Sequence, residues 1–274
     1  MTDRYCVFGN PVAHSRSPAI HARFAAQCHQ DLSYEAILAP LAGFAAAVGD
    51  FVAGGGKGAN VTLPFKEEAF ALCTRRSARA EQAGAVNTLA FVGSEIIGDN
   101  TDGAGMVRDI EVNLAFPLAG RRVLLLGAGG AARGVIAPLL ERRPARLFIA
   151  NRTADKAEAL ARRFSDIAAV DAGGFAKTAG RTFDVVINAT SASLSGATLP
   201  LPAGIFASGS LAYDMMYGKG ETPFLALARE HGAQRRADGL GMLVEQAAES
   251  FFVWRGVRPD SVPVLAAMRE QQAA

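Results

Sequence analysis

The stretch LLLGAGGAAR, residues 124–133, constrains the fold of this chain more than any other. It matches the pattern G-x-G-x-x-G/A at Gly127, Gly129 and Ala132, between a strand-like run and a helix-like run. The first glycine permits a tight turn, the second lets a pyrophosphate approach the backbone, and the small third residue lets helix and strand pack closely. Phosphate oxygens at a helix N-terminus meet free N–H groups and a favourable dipole. The spacing predicts a dinucleotide-binding loop formed by Gly127, Ala128, Gly129, Gly130 and Ala131.

The residues after the next predicted strand, RLFIA, indicate which dinucleotide is bound. An acidic residue normally stands there and holds the ribose 2′-hydroxyl of NAD, but this chain reads NRTADK. Thr153 would cap the following helix and place Lys156 in its first turn, where a cation opposes the helix dipole. A 2′-phosphate between Arg152 and Lys156, beside Asn151, explains both cations, because arginine pairs with phosphate in bidentate fashion. We therefore expect NADP, the alternative being a solvated arginine on a loop.

Strand and helix patterns alternate along the chain. A hairpin is predicted over 87–98 with its turn at Gly93-Ser94, and the character changes at a helix predicted over 102–114. The first hundred residues begin with a strand-like run at 4–9, and Ser17 followed by Pro18 is a typical helix start. After Pro117 a second strand–loop–helix series begins, and only helices are predicted beyond Gly239. These patterns predict an α/β fold of two domains: an N-terminal α/β substrate domain and a Rossmann-type NADP-binding domain. We place the first at 1–101, completed by C-terminal helices returning at 241–274, and the second at 102–240.

Composition and charge exclude several other classes of protein. A net charge of +2 over 274 residues is too small to favour nucleic acid or an anionic membrane as a partner. The three cysteines form no C-x-x-C pair, so we expect neither a disulfide framework nor a bound metal. The chain begins without the runs of a signal peptide, and its most apolar segment, 36–49, is too short to span a bilayer. We expect a cytoplasmic protein whose partner is a small molecule.

The first domain carries small polar and charged residues at predicted strand ends and in loops, where α/β sites are built. They are Ser15, Ser17, Asn60, Thr62, Lys66, Asn87, Thr101 and Asp102. A serine nucleophile is not expected, because His14 adjoins Ser15 in sequence and the chain has no G-x-S-x-G elbow. Taken singly, each residue also has a simpler interpretation: Ser17 or Asp102 as a helix cap, the amides as turn formers, and Lys66 as a surface charge.

Several motifs in order resemble the shikimate dehydrogenase family over essentially the full length of the chain. They are GNPVAHSRSP, GANVTLPFKE, AVNTL, GDNTDG, NRT, DMMYGKGETPFL and DGLGMLVEQAAESFFVWRG. The resemblance implies reversible NADP-linked reduction of 3-dehydroshikimate to shikimate, a step toward chorismate and the aromatic amino acids. It implies a monomer or homodimer.

The resemblance also implies a role for individual residues. Ser15 and Ser17 would bind the substrate carboxylate. The ring hydroxyls would be held by Asn60, Thr62, Asn87, Thr101, Asp102 and Gln246. Lys66 would be the acid/base group with Asp102 as its partner. Met215 and Gly239 would line the nicotinamide end beside Thr190, and Tyr217 there would contact substrate.

The chemistry supports these roles independently of the family. Hydride delivery to a ketone develops negative charge on oxygen, which a Lys66 ammonium could meet with charge and a proton. Oxidation of the alcohol requires the neutral amine, so we expect oxidation to become faster as pH rises above neutrality. The alternatives are a quinate or dual quinate/shikimate dehydrogenase, and a catalytically silent NADPH-binding regulatory module. By analogy with the family, Ser17 favours shikimate over quinate. A folate dehydrogenase would lack the paired serines.

Overall fold

A computed structural model describes residues 2–190, 192 and 198–273. The chain divides into two compact units. The first comprises Met1–Gly105 and Leu243–Met268, and the second Met106–Met242 and Arg269–Ala274. The chain passes from one to the other inside helices: α5 (Asp102–Arg108), α9 (Leu240–Arg255) and α10 (Ser261–Ala273) each contain a boundary.

The first unit is built on a six-stranded mixed sheet of order β2-β1-β3-β5-β6-β4. Its strands are β1 (Asp3–Gly9), β2 (Leu32–Leu38), β3 (Gly56–Val61), β4 (Arg75–Arg76), β5 (Thr88–Val92) and β6 (Glu95–Asp99). Its other helices are α1 (Ser17–Gln27), α2 (Phe44–Ala53), α3 (Lys66–Leu72), α4 (Ala78–Ala83) and, within Ser261–Ala273, most of α10. Strands β1, β2 and β3 are parallel, whereas β5 is antiparallel to both β3 and β6. The predicted hairpin turn at Gly93-Ser94 is confirmed.

The second unit contains a six-stranded sheet of order β12-β11-β10-β7-β8-β9, in which every pairing is parallel. The strands are β7 (Arg122–Leu126), β8 (Arg146–Ala150), β9 (Val170–Gly173), β10 (Phe183–Asn188), β11 (Phe206–Asp214) and β12 (Arg235–Ala237). The helices are α6 (Gly130–Glu141), α7 (Ala154–Arg162) and α8 (Pro223–Glu230), with a 3-10 turn at Phe175–Thr178. This is the doubly wound order of dinucleotide-binding folds, as the glycine fingerprint predicts.

Apolar packing explains where the first residue of α3 lies. Phe65 is buried and stacks on Phe44 with ring centroids 4.8 Å apart, and Phe44 meets Phe8 of β1 edge-on. Such aromatic pairs contribute about 0.5–1.5 kcal/mol beyond the area they bury. The cluster anchors the start of α3, so Lys66 leaves the core directly after a fixed residue.

Two local predictions require adjustment. Helix α1 begins at Ser17 as expected, but its cap position is Arg16, and the Ser15 hydroxyl accepts from the Ser17 N–H at 3.3 Å. The segment 102–114, expected as one regular helix, changes to a π-helical turn at Asp109–Asn113. Both differences concern backbone hydrogen bonding at helix ends, to which apolar periodicity is insensitive.

Candidate active site

Lys66 and Asp102, the predicted acid–base pair, form an ion pair in the first unit. The Lys66 Nζ lies 2.6 Å from Asp102 Oδ2, and the side chains are 21% and 8% exposed. Lys66 begins α3 after the turn that follows β3, and Asp102 begins α5 after β6. The Asp102 N–H donates to the Asn100 Oδ1 at 3.2 Å, which fixes the start of α5. A largely buried carboxylate thus holds an ammonium that still reaches solvent.

Asn87 connects this pair to the rest of the site. Its Nδ2 donates to Asp102 Oδ1 at 2.9 Å, Thr101 Oγ1 at 2.9 Å and Gln246 Oε1 at 3.2 Å. Its Oδ1 accepts from the Thr101 N–H at 2.8 Å. One carboxamide therefore orients the carboxylate that contacts Lys66 and the Gln246 side chain from α9.

Three fully buried hydroxyls lie beside Asn87 in a triangle. The oxygens of Thr88 and Ser250 are 2.8 Å apart, those of Thr101 and Ser250 3.2 Å, and those of Thr88 and Thr101 3.3 Å. The Asn60 Nδ2 donates to Ser250 Oγ at 2.9 Å, which extends the network to β3. Buried polar groups need partners of this kind to avoid a desolvation penalty.

Helix α9 contributes three of these groups at a helical period of four. Gln246, Ser250 and Trp254 face the sheet, and the Trp254 Nε1 donates to the Leu89 carbonyl at 2.9 Å. A Cβ at position 58 would lie 2.6 Å from that Nε1, so β3 can pass this close to the indole only because residue 58 is glycine. These contacts hold α9 in register over the polar network.

The remaining predicted substrate residues of the first unit follow β1 and β3: Ser15 and Thr62 lie in loops, and Ser17 is the first residue of α1. Ser17 is buried and Ser15 is half-buried. The Ser15 N–H donates to the Val12 carbonyl at 2.9 Å. The Thr62 N–H donates to the Phe8 carbonyl at 2.9 Å, which ties its loop to β1. Tyr217, by contrast, belongs to the second unit, three residues after β11, and its contact with substrate stays a prediction.

An ionic network supports the segment that carries Thr101 and Asp102. Burial alone would raise the pKa of Asp99, but two hydrogen bonds from Arg79 at 2.6 Å outweigh it and lower that pKa. Burial alone would likewise raise the pKa of Glu249, but hydrogen bonds from Arg258 and Arg79 outweigh it and lower that pKa. The network joins α4, β6 and α9 immediately behind the site.

In the second unit, the predicted loop adopts the conformation that the fingerprint requires. Gly127 follows β7 with φ +112°, and a Cβ there would lie 3.1 Å from the Ala189 carbonyl oxygen. A Cβ on Gly129 or Gly130 would meet nothing within 4 Å. Gly129 occupies the cap position of α6 without a side-chain cap, and buried Ala132 packs into the core. The start of α6 thus presents backbone N–H groups on an open face, which fits the phosphates of a dinucleotide.

A cavity of about 490 Å³ adjoins this loop. Its lining includes Asn151, Arg152, Thr153 and Lys156, all expected from the sequence, together with Arg133 and Arg163, which the sequence analysis did not select. None of the lining residues that the structure describes is a carboxylate. Arg133 directly follows the fingerprint in the sequence, a signal that could have indicated it. The concentration of cations fits the 2′-phosphate of NADP. The predicted cap at Thr153 is only positional, because its side chain makes no capping hydrogen bond.

The last predicted cofactor residues meet at the ends of β10 and β11. The Asn188 Oδ1 accepts from the Thr190 hydroxyl at 2.7 Å, and the Asn188 carbonyl accepts from the Met215 N–H at 2.9 Å. A Cβ on Gly239 would lie 2.2 Å from the Met215 carbonyl oxygen, so only glycine permits this approach. Strands β7 and β10 are neighbours, which puts Gly127 and Thr190 at the reversal of strand order where dinucleotides bind.

Among helices in the described ranges, none combines the length and the apolar character that crossing a bilayer requires. Within the same ranges, no cluster of three or more histidine, cysteine or acidic side chains could hold a metal ion.

A doubly wound unit with a phosphate-binding loop, and an α/β unit with a lysine–carboxylate pair, are the two parts of a nicotinamide-dependent oxidoreductase. A family model of the shikimate dehydrogenase substrate binding domain matches residues 7–89, one of shikimate / quinate 5-dehydrogenase matches 111–196, and one of the shikimate 5′-dehydrogenase C-terminal domain matches 239–271. The chain belongs to the shikimate dehydrogenase family, as its motifs predict.

Individual relatives agree over the whole length. A shikimate dehydrogenase (NADP(+)) from Dechloromonas aromatica (strain RCB) is 71% identical over 274 residues, with both chains fully covered. The crystal structure of an Ael1 enzyme from Pseudomonas putida matches with TM-score 0.92 and 52% identity, covering 97% of this chain and 98% of its own. A shikimate 5-dehydrogenase from Thermus thermophilus, in complex with NADP(H) and shikimate, matches with TM-score 0.88 and 35% identity, covering 98% and 99%. These similarities confirm the predicted two-domain α/β fold class.

Proposed function

We propose that this chain catalyses the NADP-linked interconversion of 3-dehydroshikimate and shikimate, with Lys66 and Asp102 as its acid–base pair. The observation that carries the proposal is the 2.6 Å contact between these side chains, within a polar network of a shikimate dehydrogenase family member. The names of full-length relatives support both the substrate and the cofactor.

Substrate recognition is assigned to polar groups of the first unit. Ser15 and Ser17 supply hydroxyls beside the start of α1, where a carboxylate is stabilised by donors and by the helix dipole. Asn60, Thr62, Asn87 and Gln246 supply carboxamides and hydroxyls for a polyhydroxylated ring. A loop with paired serines favours shikimate as the preferred substrate over quinate.

Lys66 moves the proton. During reduction its ammonium donates to the carbonyl oxygen as negative charge develops there, and during oxidation the neutral amine accepts the hydroxyl proton. Asp102 keeps Nζ in place through Oδ2, while its Oδ1 is held by Asn87. Positioning of this kind places the proton donor before the reaction begins.

NADP, when bound, supplies or accepts the hydride. The start of α6 would hold its pyrophosphate, and Arg152 and Lys156, with Arg133 beside them, would hold its 2′-phosphate. Thr190, Met215 and Gly239 would flank the nicotinamide end. Arg152, Lys156 and Arg133 line the cavity, and none of its described lining residues is a carboxylate. This favours NADP over NAD, because cations pair with a 2′-phosphate whereas a 2′-hydroxyl donates to a carboxylate.

The setting of the reaction is part of the same proposal. The three cysteines are free thiols, which suits the reducing cytoplasm in which aromatic biosynthesis proceeds. We assign the chain to that compartment as a monomer or homodimer whose partners are its small-molecule substrate and cofactor.

The test is NADPH formation, followed by absorbance, with shikimate or quinate as substrate and NADP or NAD as cofactor. The expected result is turnover with shikimate and NADP, lowered about 10²–10⁴-fold in Lys66→Ala. Lys57→Ala, at an exposed lysine of β3, is the matched control and should remain active. Equal turnover of quinate would reassign the substrate. Tight NADPH binding without turnover of either would make the chain a silent binding module.

A further inference from the structure

We infer that Tyr34 is a positioning residue for this reaction, and that its hydroxyl holds the Asn60 carboxamide so that only the Asn60 oxygen faces the substrate. The inference rests on the proposed function and assigns a role to a residue that the family motifs above do not include. Tyr34 lies on β2, on the far side of β1 from Asn60.

The hydrogen bonds of Asn60 fix the orientation of its carboxamide. The Tyr34 hydroxyl donates to Asn60 Oδ1 at 2.7 Å. The two hydrogens on Nδ2 are directed to the Asn87 carbonyl at 3.1 Å, Thr88 Oγ1 at 3.2 Å and Ser250 Oγ at 2.9 Å. Because a backbone carbonyl only accepts, Nδ2 must face inward. Within the described residues neither ring nitrogen of the neighbouring His21 has a hydrogen-bond partner, so the second lone pair of Asn60 Oδ1 remains. Asn60 can therefore accept from a substrate hydroxyl but cannot donate to it.

The same phenol lies close to the carboxylate-binding loop. Burial raises the pKa of Tyr34 well above 10.0, and a hydrogen bond from the Ser17 side chain partly opposes that effect. Ser17, proposed for the substrate carboxylate, therefore acts on the same phenol that holds Asn60.

The ring of Tyr34 is fixed independently of its hydroxyl. It stacks on the imidazole of His21, with centroids 4.2 Å apart and planes 9° from parallel. His21 is completely buried, and burial lowers its pKa to about 3 despite an opposing contribution from Asn60. The imidazole is neutral at any pH suited to an assay, so the stack does not titrate. Removal of the hydroxyl alone therefore leaves the aromatic packing in place.

The decisive variant is Tyr34→Phe. We expect its KM for shikimate to rise about five- to tenfold, as for loss of one neutral hydrogen bond to a buried acceptor. The kcat and the KM for NADP should stay within about twofold, because Lys66 and the nucleotide site are untouched. Tyr5→Phe is the matched control: Tyr5 packs on Trp254 at 4.7 Å and its oxygen lies 3.4 Å from Arg255, away from Asn60.

A double-mutant cycle with Asn60→Ala separates positioning from packing. If Tyr34 acts through Asn60, Tyr34→Phe should change KM by less than about twofold in the Asn60→Ala background. Additive effects in the cycle would overturn the inference, as would an unchanged KM in Tyr34→Phe alone. An equal loss in kcat and both KM values, with a lowered Tm, would show a structural role only and also overturn it.

Calorimetric titration of the wild-type chain with shikimate distinguishes the two proposals. A wild type that neither binds nor oxidises shikimate refutes the proposed function and this inference with it. An active wild type with normal shikimate binding in Tyr34→Phe refutes this inference alone.

Discussion

Replacement of Asp102 by Asn keeps the size of the side chain but turns one of its two hydrogen-bond acceptor oxygens into an NH₂ donor. The carboxylate now accepts on both sides, from Lys66 Nζ at 2.6 Å and from Asn87 Nδ2 at 2.9 Å. A carboxamide must turn its NH₂ toward one of these two donors. If it faces Lys66, two donors oppose at the reactive lysine; if it faces Asn87, two donors oppose in the buried network.

The expected cost follows from where the conflict falls. Asn87 is 2% exposed, so an unmatched donor there loses about 1–3 kcal/mol in the free energy of unfolding. Lys66 is 21% exposed and can turn to water, so the loss of its partner mainly affects catalysis. Because Lys66 is then held less firmly at the reacting oxygen, we expect kcat for shikimate oxidation to fall about 10²–10³-fold.

The two effects are measured separately. Steady-state NADPH formation gives kcat, and urea unfolding followed by circular dichroism gives stability. Asp50→Asn, at an exposed carboxylate on α2, is the control and should leave both unchanged. A kcat for Asp102→Asn within about threefold of wild type would refute the role given to the carboxylate. An unchanged free energy of unfolding would refute a donor conflict at Asn87 and place the conflict at Lys66.

Three further outcomes follow from the geometry. Arg152→Ala should raise the KM for NADP at least tenfold and change the KM for NAD little, because a hydrogen bond to a charged group contributes about 1.5–3 kcal/mol. Equal changes for both cofactors would contradict a 2′-phosphate site. Gly105→Ala should lower Tm, because the new Cβ would lie 2.5 Å from the Gln246 backbone nitrogen. Gly49→Ala should instead stabilise α2 by about 1 kcal/mol, because a Cβ there meets nothing within 4 Å. Tm shifts of the same sign in the two variants would contradict this reasoning. The lowered pKa values of Asp99 and Glu249 add stability that is complete above about pH 4.5 and lost as pH falls through their folded values, so urea midpoints should decline on acidification, and a flat profile would refute the network.

The glycine fingerprint and the cationic segment after β8 could be predicted from sequence because their meaning is local. Gly127 must adopt a positive φ, and Arg152 stands a fixed distance along the chain from the fingerprint. The fold class follows from the same signals, since a parallel strand–helix series has few stable arrangements. The resemblance to a family then indicated distant residues such as Gln246, which periodicity alone would have described as one polar position on an amphipathic helix.

Tyr34 and Ser250 could not be selected in this way. Tyr34 sits in LSYEAIL, where an aromatic residue is ordinary for a strand, and its partner Asn60 is 26 residues away. Ser250 is a small residue in a largely apolar helix, and only the packing of α9 on the sheet brings it to Thr88. Their roles depend on which side chains meet across strands, and a single sequence contains no record of that.

The triangle of Thr88, Thr101 and Ser250 hydroxyls has a consequence for how the site treats oxidised and reduced ligands. Each oxygen carries one proton and has more than one acceptor within reach, since Thr88 and Thr101 also lie near Asn87 Oδ1 and Ser250 near the Gln246 carbonyl. The heavy atoms are fixed, yet the protons among them have several permitted orders. A ketone offers only lone pairs, whereas an alcohol also offers a proton. Under the proposed function, a rigid frame whose hydroxyls can rotate would let the groups that face the ligand keep their hydrogen bonds with either one.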